Sequence, residues 1–87
     1  MTSKNVRILK NASGNYEAKL PIPGISTVYG NDEASLMSVL VRAMASPNSL
    51  EDDHEYGIWY GEGLGLSTVC KQGLEAIINL RNIILNN

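Results

Sequence analysis

The first third of the chain alternates hydrophobic and polar residues, a pattern typical of strands that bury one face. It predicts strands over residues 5–11, 15–20 and 25–29, separated by turn-forming segments rich in Asn, Pro and Gly. Because a proline donates no N–H, we expect the second strand to leave the hydrogen-bonded ladder at Pro21. An aromatic run at residues 56–60 predicts a fourth strand.

Two further segments repeat their hydrophobic residues at helical spacing. The first should be capped at Asn31 or Asp32 and should end near Ala45, just before a Ser-Pro step. The second covers residues 66–87 and should be capped at Ser67.

A polar segment, residues 46–55, separates the first helix from the fourth strand and is expected to be a loop. The element order is therefore β-β-β-α-β-α. We predict an α+β fold in a single domain, residues 1–87, with a small four-stranded sheet and both helices packed on one face. That arrangement buries the apolar face of each element once.

The last helix has more apolar perimeter than packing on a sheet requires. Its apolar residues cover an arc of roughly 220° at about 100° per residue, whereas one packed face needs a stripe of ~100°. The surplus predicts self-association, because most homo-oligomers are symmetric dimers. Arg81 lies within this arc and either extends to solvent or pairs with a carboxylate across the interface. The predicted dimer interface consists of Ala76, Ile78, Arg81, Ile83 and Leu85.

Composition narrows the functional classes. The 87 residues have a formal net charge of −2, so the chain as a whole has no attraction to nucleic acid or anionic lipid. Its single cysteine cannot form an internal disulfide, which favours a reducing, cytoplasmic location. Neither a signal peptide nor a membrane-spanning run is evident, and we expect no membrane association.

Acidic residues flank His54 just before the fourth strand. Consecutive loop residues rarely converge on one ion, and the calcium-loop spacing is absent, so a solvated loop or a contact for a basic protein partner is the better interpretation. The two large aromatics of the fourth strand serve either ordinary packing or a protein-binding hot spot. The predicted partner-binding residues are Glu51, Asp52, Asp53, Glu55, Trp59 and Tyr60.

Two other functional classes have weaker support. A small enzyme would have to use His54, Glu62 and the glycine-rich loop 61–65, but this set lacks a partner base or a set of metal ligands. The loop spacing also matches neither the dinucleotide nor the phosphate-loop fingerprint. We therefore predict a non-enzymatic protein without catalytic residues, metal or cofactor. The alternative is a nucleic-acid-binding regulator that uses the basic residues of the first quarter, Lys4, Arg7, Lys10 and Lys19.

Residues 16–44 resemble the part of HicB-type antitoxins in which a strand ends in Pro-x-x-Pro-Gly and a short strand, a Gly-Asp/Asn turn and an acidic-capped helix follow. The resemblance implies a non-catalytic, partial ribonuclease-H-like fold and a dimer that blocks a small toxin ribonuclease and represses its own operon. No DNA-binding segment follows, so DNA binding does not carry over. The residues in comparable places are Pro21, Pro23, Gly24, Gly30, Asn31, Asp32 and Glu33.

Small acidic inhibitors from phages and plasmids share this size and composition. The leading hypothesis is therefore a dimeric inhibitor or antitoxin-like protein that sequesters a larger or basic protein partner.

Overall fold

The described part of the protein consists of a four-stranded mixed sheet and three helices. The computed structural model describes residues 3–51 and 53–86. In chain order the elements are β1 (Ser3–Lys10), β2 (Tyr16–Ile22), β3 (Ile25–Gly30), α1 (Glu33–Met44), α2 (Pro47–Glu51), β4 (Glu55–Tyr60) and α3 (Thr68–Asn86). The predicted α+β class, the four strands and the two long helices are confirmed.

The strand order in the sheet is β3-β2-β1-β4. The first three strands form an antiparallel meander, whereas β4 lies parallel to β1 on its other side. The chain must therefore cross the sheet between β3 and β4, and α1 supplies most of this crossover. The crossover places α1 beside α3 on the same face of the sheet.

The core lies between this face and the two long helices. Along β1, Val6 and Ile8 are buried while Asn5 and Arg7 are exposed, which is the alternation expected of a sheet with one wet face. The helices contribute their own buried stripes to the same cluster, including Leu36, Leu40, Ala43 and Met44 of α1 and Cys70, Leu74 and Ile78 of α3.

Capping residues fix the beginnings of both long helices, as predicted. The carboxylate of Asp32 accepts a hydrogen bond from the Ser35 N–H at 2.7 Å, and the hydroxyl of Ser67 accepts one from the Cys70 N–H at 3.1 Å. Between β3 and α1 the backbone is tightly packed. A Cβ at Gly30 would lie 2.4 Å from the backbone nitrogen of Leu36, so only glycine fits there.

Two local predictions are wrong. The predicted loop 46–55 contains the short helix α2, because Pro47 occupies a helix N-terminus, where its missing N–H costs nothing. Strand β2 also continues past Pro21, and Ile22 pairs with Ile25 after a register shift. The irregularity accommodates the missing N–H, so the proline interrupts the ladder without ending it.

Candidate protein-interaction surface

Helix α3 leaves one apolar flank uncovered. Leu80 and Ile83 are 59% and 57% exposed, and Val69 and Ile84 are exposed as well. Ala76, also exposed, lies between them on the same side of the helix, since residues three, four and seven apart share a face. We call this set, Val69, Ala76, Leu80, Ile83 and Ile84, the α3 flank. Single exposed apolar residues are ordinary, whereas several on one helix face form a candidate interaction surface.

A groove of about 220 Å³ adjoins the α3 flank, where α1, α2 and α3 meet. Its walls are almost entirely aliphatic, and a half-exposed Val41 and Leu50 lie at its rim. The volume suits one or two aliphatic side chains. The groove offers a ligand few polar groups, so it favours an apolar protein segment over a polar small molecule. The lining residues are Val41, Met44, Ala45, Leu50, Ile77, Leu80, Arg81 and Ile84.

The structure corrects two members of the predicted dimer interface, because Ile78 and Arg81 are each only 2% exposed. Ile78 belongs to the core, on the side of α3 that packs against the sheet. Ala76 and Ile83 remain on the surface, as an interface requires. Leu85 lies in a part of α3 whose side chains are outside the described residues.

Arg81 ties α3 to the segment that precedes β4. Its guanidinium donates to the carbonyl of His54 at 2.7 Å and to the carbonyl and hydroxyl of the buried Ser49. It also lies over the ring of Tyr56, 4.4 Å from the centroid. Neither alternative from the sequence is correct. The side chain is buried, so it neither reaches solvent nor lies at a surface where a second chain could contact it. Its hydrogen bonds instead hold Arg81 in place as part of the lining of the groove.

The next residue, Asn82, covers part of the exposed edge of β4. Its side-chain carbonyl accepts from the Tyr56 N–H and its amide donates to the Tyr56 carbonyl, both at 2.9 Å. The carboxamide thus pairs with β4 as another strand would. Together with the packing of Ile78 in the core, this contact fixes the side of α3 that faces the sheet and β4.

Three of the four predicted acidic contact residues belong to the described part of the chain, in or after helix α2. Glu51, Asp53 and Glu55 are exposed, and Asp52 lies outside the described residues. His54 approaches Asp53, with 3.9 Å between Nε2 and Oδ1. Within residues 3–51 and 53–86, no group of three His, Cys, Asp or Glu side chains is arranged to hold a metal ion.

Trp59 and Tyr60 do not form one hot spot, because successive strand residues point to opposite faces. Trp59 lies on the open face of the sheet. Tyr60 packs against the core and donates its hydroxyl proton to the Lys71 carbonyl at 3.4 Å. Burial, together with the nearby Glu75 carboxylate, raises the pKa of Tyr60 to about 12.

The N-terminus of α3, where the glycine-rich loop could have held an anion, is already occupied by a carboxylate. Glu33 accepts from the Ser67 N–H at 2.8 Å and from its hydroxyl at 2.7 Å, which lowers the pKa of Glu33. The lone Cys70 is buried in the core, and burial raises the pKa of its thiol, as expected of a structural cysteine.

The four basic residues of the alternative hypothesis are not brought together. Arg7 and Lys19 lie on the open sheet face. Lys4 and Lys10 point to the opposite face of the sheet and lie at opposite ends of β1. Lys10 lies over the ring of Tyr16.

Neither family models nor curated proteins nor solved structures contain a match to this chain. No helix in the described part of the chain is long and apolar enough to span a membrane.

Proposed function

We propose that this protein is a non-enzymatic, protein-binding module that forms a homodimer through the α3 flank and the adjoining groove. The observation that supports this most strongly is the continuity of the two apolar surfaces. Leu80 and Ile84 belong to both, so a single occupant would cover them together. Removing this area from water would supply the main driving force for association.

A second copy of the chain fits the α3 flank because the flank is self-complementary. Val69 and Ile83 each lie seven residues from Ala76. Two antiparallel α3 helices centred on Ala76 would therefore place Val69 of each copy opposite Ile83 of the other. The small side chain of Ala76 lets the helix axes approach closely at the two-fold axis. Leu80 of each copy would then point towards the surface of the other copy.

The dimer would act as an inhibitor or antitoxin-like protein in the cytoplasm that sequesters a basic protein partner. The exposed carboxylates of Glu51, Asp53 and Glu55 would attract that partner and orient it, since complementary charge raises association rates and specificity. The resemblance to HicB-type antitoxins implies three strands, a helix and a strand, and the chain has this order apart from the added short helix α2 before β4.

Light scattering tests the dimer. The parent protein should have twice its 9.5 kDa chain mass, and the double variant Leu80→Lys/Ile83→Lys should have the monomer mass with an unchanged circular dichroism spectrum. Ser38→Lys, an exposed site on α1, is the matched control and should remain dimeric. A monomeric parent, or a folded double variant that keeps the dimer mass, would refute the proposal.

Affinity capture from the native host tests the acidic contact. The parent should retain a basic protein that Glu51→Lys/Asp53→Lys loses, while both keep the same oligomeric mass. Equal retention by the two would exclude the acidic segment as the contact.

A further inference from the structure

The open face of the sheet has a second surface, independent of the dimer contact. Both long helices pack on the other face, so nothing in the described part of the chain covers this one. Arg7 of β1 is paired in register with Lys19 of β2 on one side and with Trp59 of β4 on the other. Lys19 is paired in turn with Thr27 of β3. These four residues, Trp59, Arg7, Lys19 and Thr27, form one row across all four strands, which we call the cation row.

Two cations directly opposite each other on neighbouring strands repel, and a sheet usually avoids such a pair. Both Arg7 and Lys19 are exposed, and neither forms an ion pair with a described residue. The guanidinium of Arg7 lies over the Trp59 ring, 4.9 Å from its centroid, which holds it in place while its N–H groups remain available. An anion between the two side chains would remove the repulsion.

Aromatic rings flank the cations at the two edges of the sheet. Trp59 on β4 is 43% exposed, and Tyr29 on β3 is 57% exposed on the same face, since its register partner Glu17 alternates with Lys19. Gly57 and Gly61, two residues before and two after Trp59 on the same face, have no side chains that could cover its ring. With strands ~4.8 Å apart, the two rings are separated by roughly 15 Å across the sheet.

Platforms that bind single-stranded nucleic acid combine exposed cations, which meet phosphates, with exposed aromatic rings, on which bases stack. Arg7 and Lys19, between Trp59 and Tyr29, have this combination. We propose that the cation row binds a single-stranded nucleic acid that crosses the strands, with phosphate at Arg7 and Lys19 and bases at Trp59 and Tyr29. Glu17 and Glu55 also lie on this face, and Glu17, the register partner of Tyr29, reduces the attraction for phosphate near that ring. The positive field is therefore local, and binding is expected to be weak and short in footprint.

The probe is a fluorescein-labelled oligothymidylate of ~10 nucleotides, within the site sizes of known single-strand platforms. The chain has one tryptophan, so quenching of its fluorescence reports contact at Trp59 directly, and probe anisotropy reports binding by every variant. Two phosphate contacts predict a slope of log affinity against log salt near −1.4, or about sevenfold weaker binding between ~50 and ~200 mM salt.

Arg7→Gln and Lys19→Gln should each reduce that slope by about 0.7, and Trp59→Ala should weaken binding at least about fivefold while Trp59→Phe restores most of it. Lys10→Gln, which removes the same charge from the opposite face, is the control and should bind as the parent does. Light scattering of each variant should show the parent's mass, so a failure here and a failure of the dimer are separate results.

Three results would overturn the proposal. The first is absence of quenching at low salt. The second is an equal loss of binding in Lys10→Gln, which would make the attraction nonspecific. The third is competition by an acidic peptide such as polyglutamate that matches competition by unlabelled oligothymidylate, because the face would then recognise carboxylates and not stacked bases.

Discussion

Replacing Arg81 with leucine should destabilise the fold severely, although no ligand or partner is involved. The substitution keeps the apolar volume of the stem and removes the donors that now satisfy the carbonyls of Ser49 and His54. A buried carbonyl left without a donor costs roughly 1–3 kcal/mol, and hydrogen bonds from a charged donor are the stronger kind. The substitution also removes the cost of keeping a charged group away from water, which offsets part of this loss.

The net cost should be about 3 kcal/mol, a large part of the ~4–13 kcal/mol that a chain of this size has in total. The melting temperature should fall by ~12–24 °C. Arg81→Lys keeps the charge but cannot reach both carbonyls or stack flat on Tyr56, so its cost should be about half as large.

Urea unfolding followed by circular dichroism and by Trp59 fluorescence measures both values, with Asn79→Leu, at an exposed position on α3, as the control. An Arg81→Leu variant within ~0.5 kcal/mol of the parent would show that the guanidinium network is not part of what holds α3 to the segment before β4.

Two further predictions concern the junctions of the long helices. Gly30→Ala should cost about 2 kcal/mol or more, because its Cβ would meet the Leu36 backbone, which cannot move as a side-chain end can. Gly63→Asn should cost clearly less, because nothing lies within 4 Å and Asn tolerates the positive φ of 69° better than most residues. Stability should also fall in acid through Glu33. The folded pKa of Glu33 is below the usual 4.5, so its contribution to stability is complete above pH 4.5 and is lost as the pH falls through the folded pKa. In Glu33→Gln the free energy of unfolding should therefore fall less steeply with decreasing pH. The same acid dependence in the variant and the parent would contradict the assignment.

Much of the fold could be predicted from local pattern. Alternation found the strands, and cap chemistry found Asp32 and Ser67, because both signals depend on neighbouring residues alone. The exceptions have local causes too. Pro47 follows the end of α1, as predicted, but it also begins α2, because proline suits the first turn of a helix. The register shift at Pro21 preserves a ladder that the missing N–H is expected to end.

The site was harder to predict because it depends on which elements cover which side of α3. A helical wheel detects the apolar surplus but cannot show that the Ile78 side is closed by the core and β4. Arg81 did stand out as a cation within an apolar arc. That signal could have suggested a buried network, but its acceptors, Ser49 and the carbonyl of His54, are distant in sequence and are brought near only by the fold.

Strand alternation alone predicts that Arg7 lies on a different sheet face from Lys4 and Lys10, and that Lys19 lies on the polar face of its own strand. The alignment of Arg7 and Lys19 with Trp59 required the parallel pairing of β1 and β4, which no local pattern reveals.

The central claim is that two copies meet along the α3 flank about Ala76, and disulfide trapping tests it most directly. Ala76→Cys places a thiol at the proposed two-fold axis, where two copies can satisfy the short Cβ–Cβ distance that a disulfide needs. Under mild oxidation this variant should migrate at twice the 9.5 kDa chain mass on a non-reducing denaturing gel, while Ser38→Cys, also at an exposed position but on α1, should remain at the chain mass. Equal cross-linking of the two variants, or none at Ala76→Cys, would contradict the account.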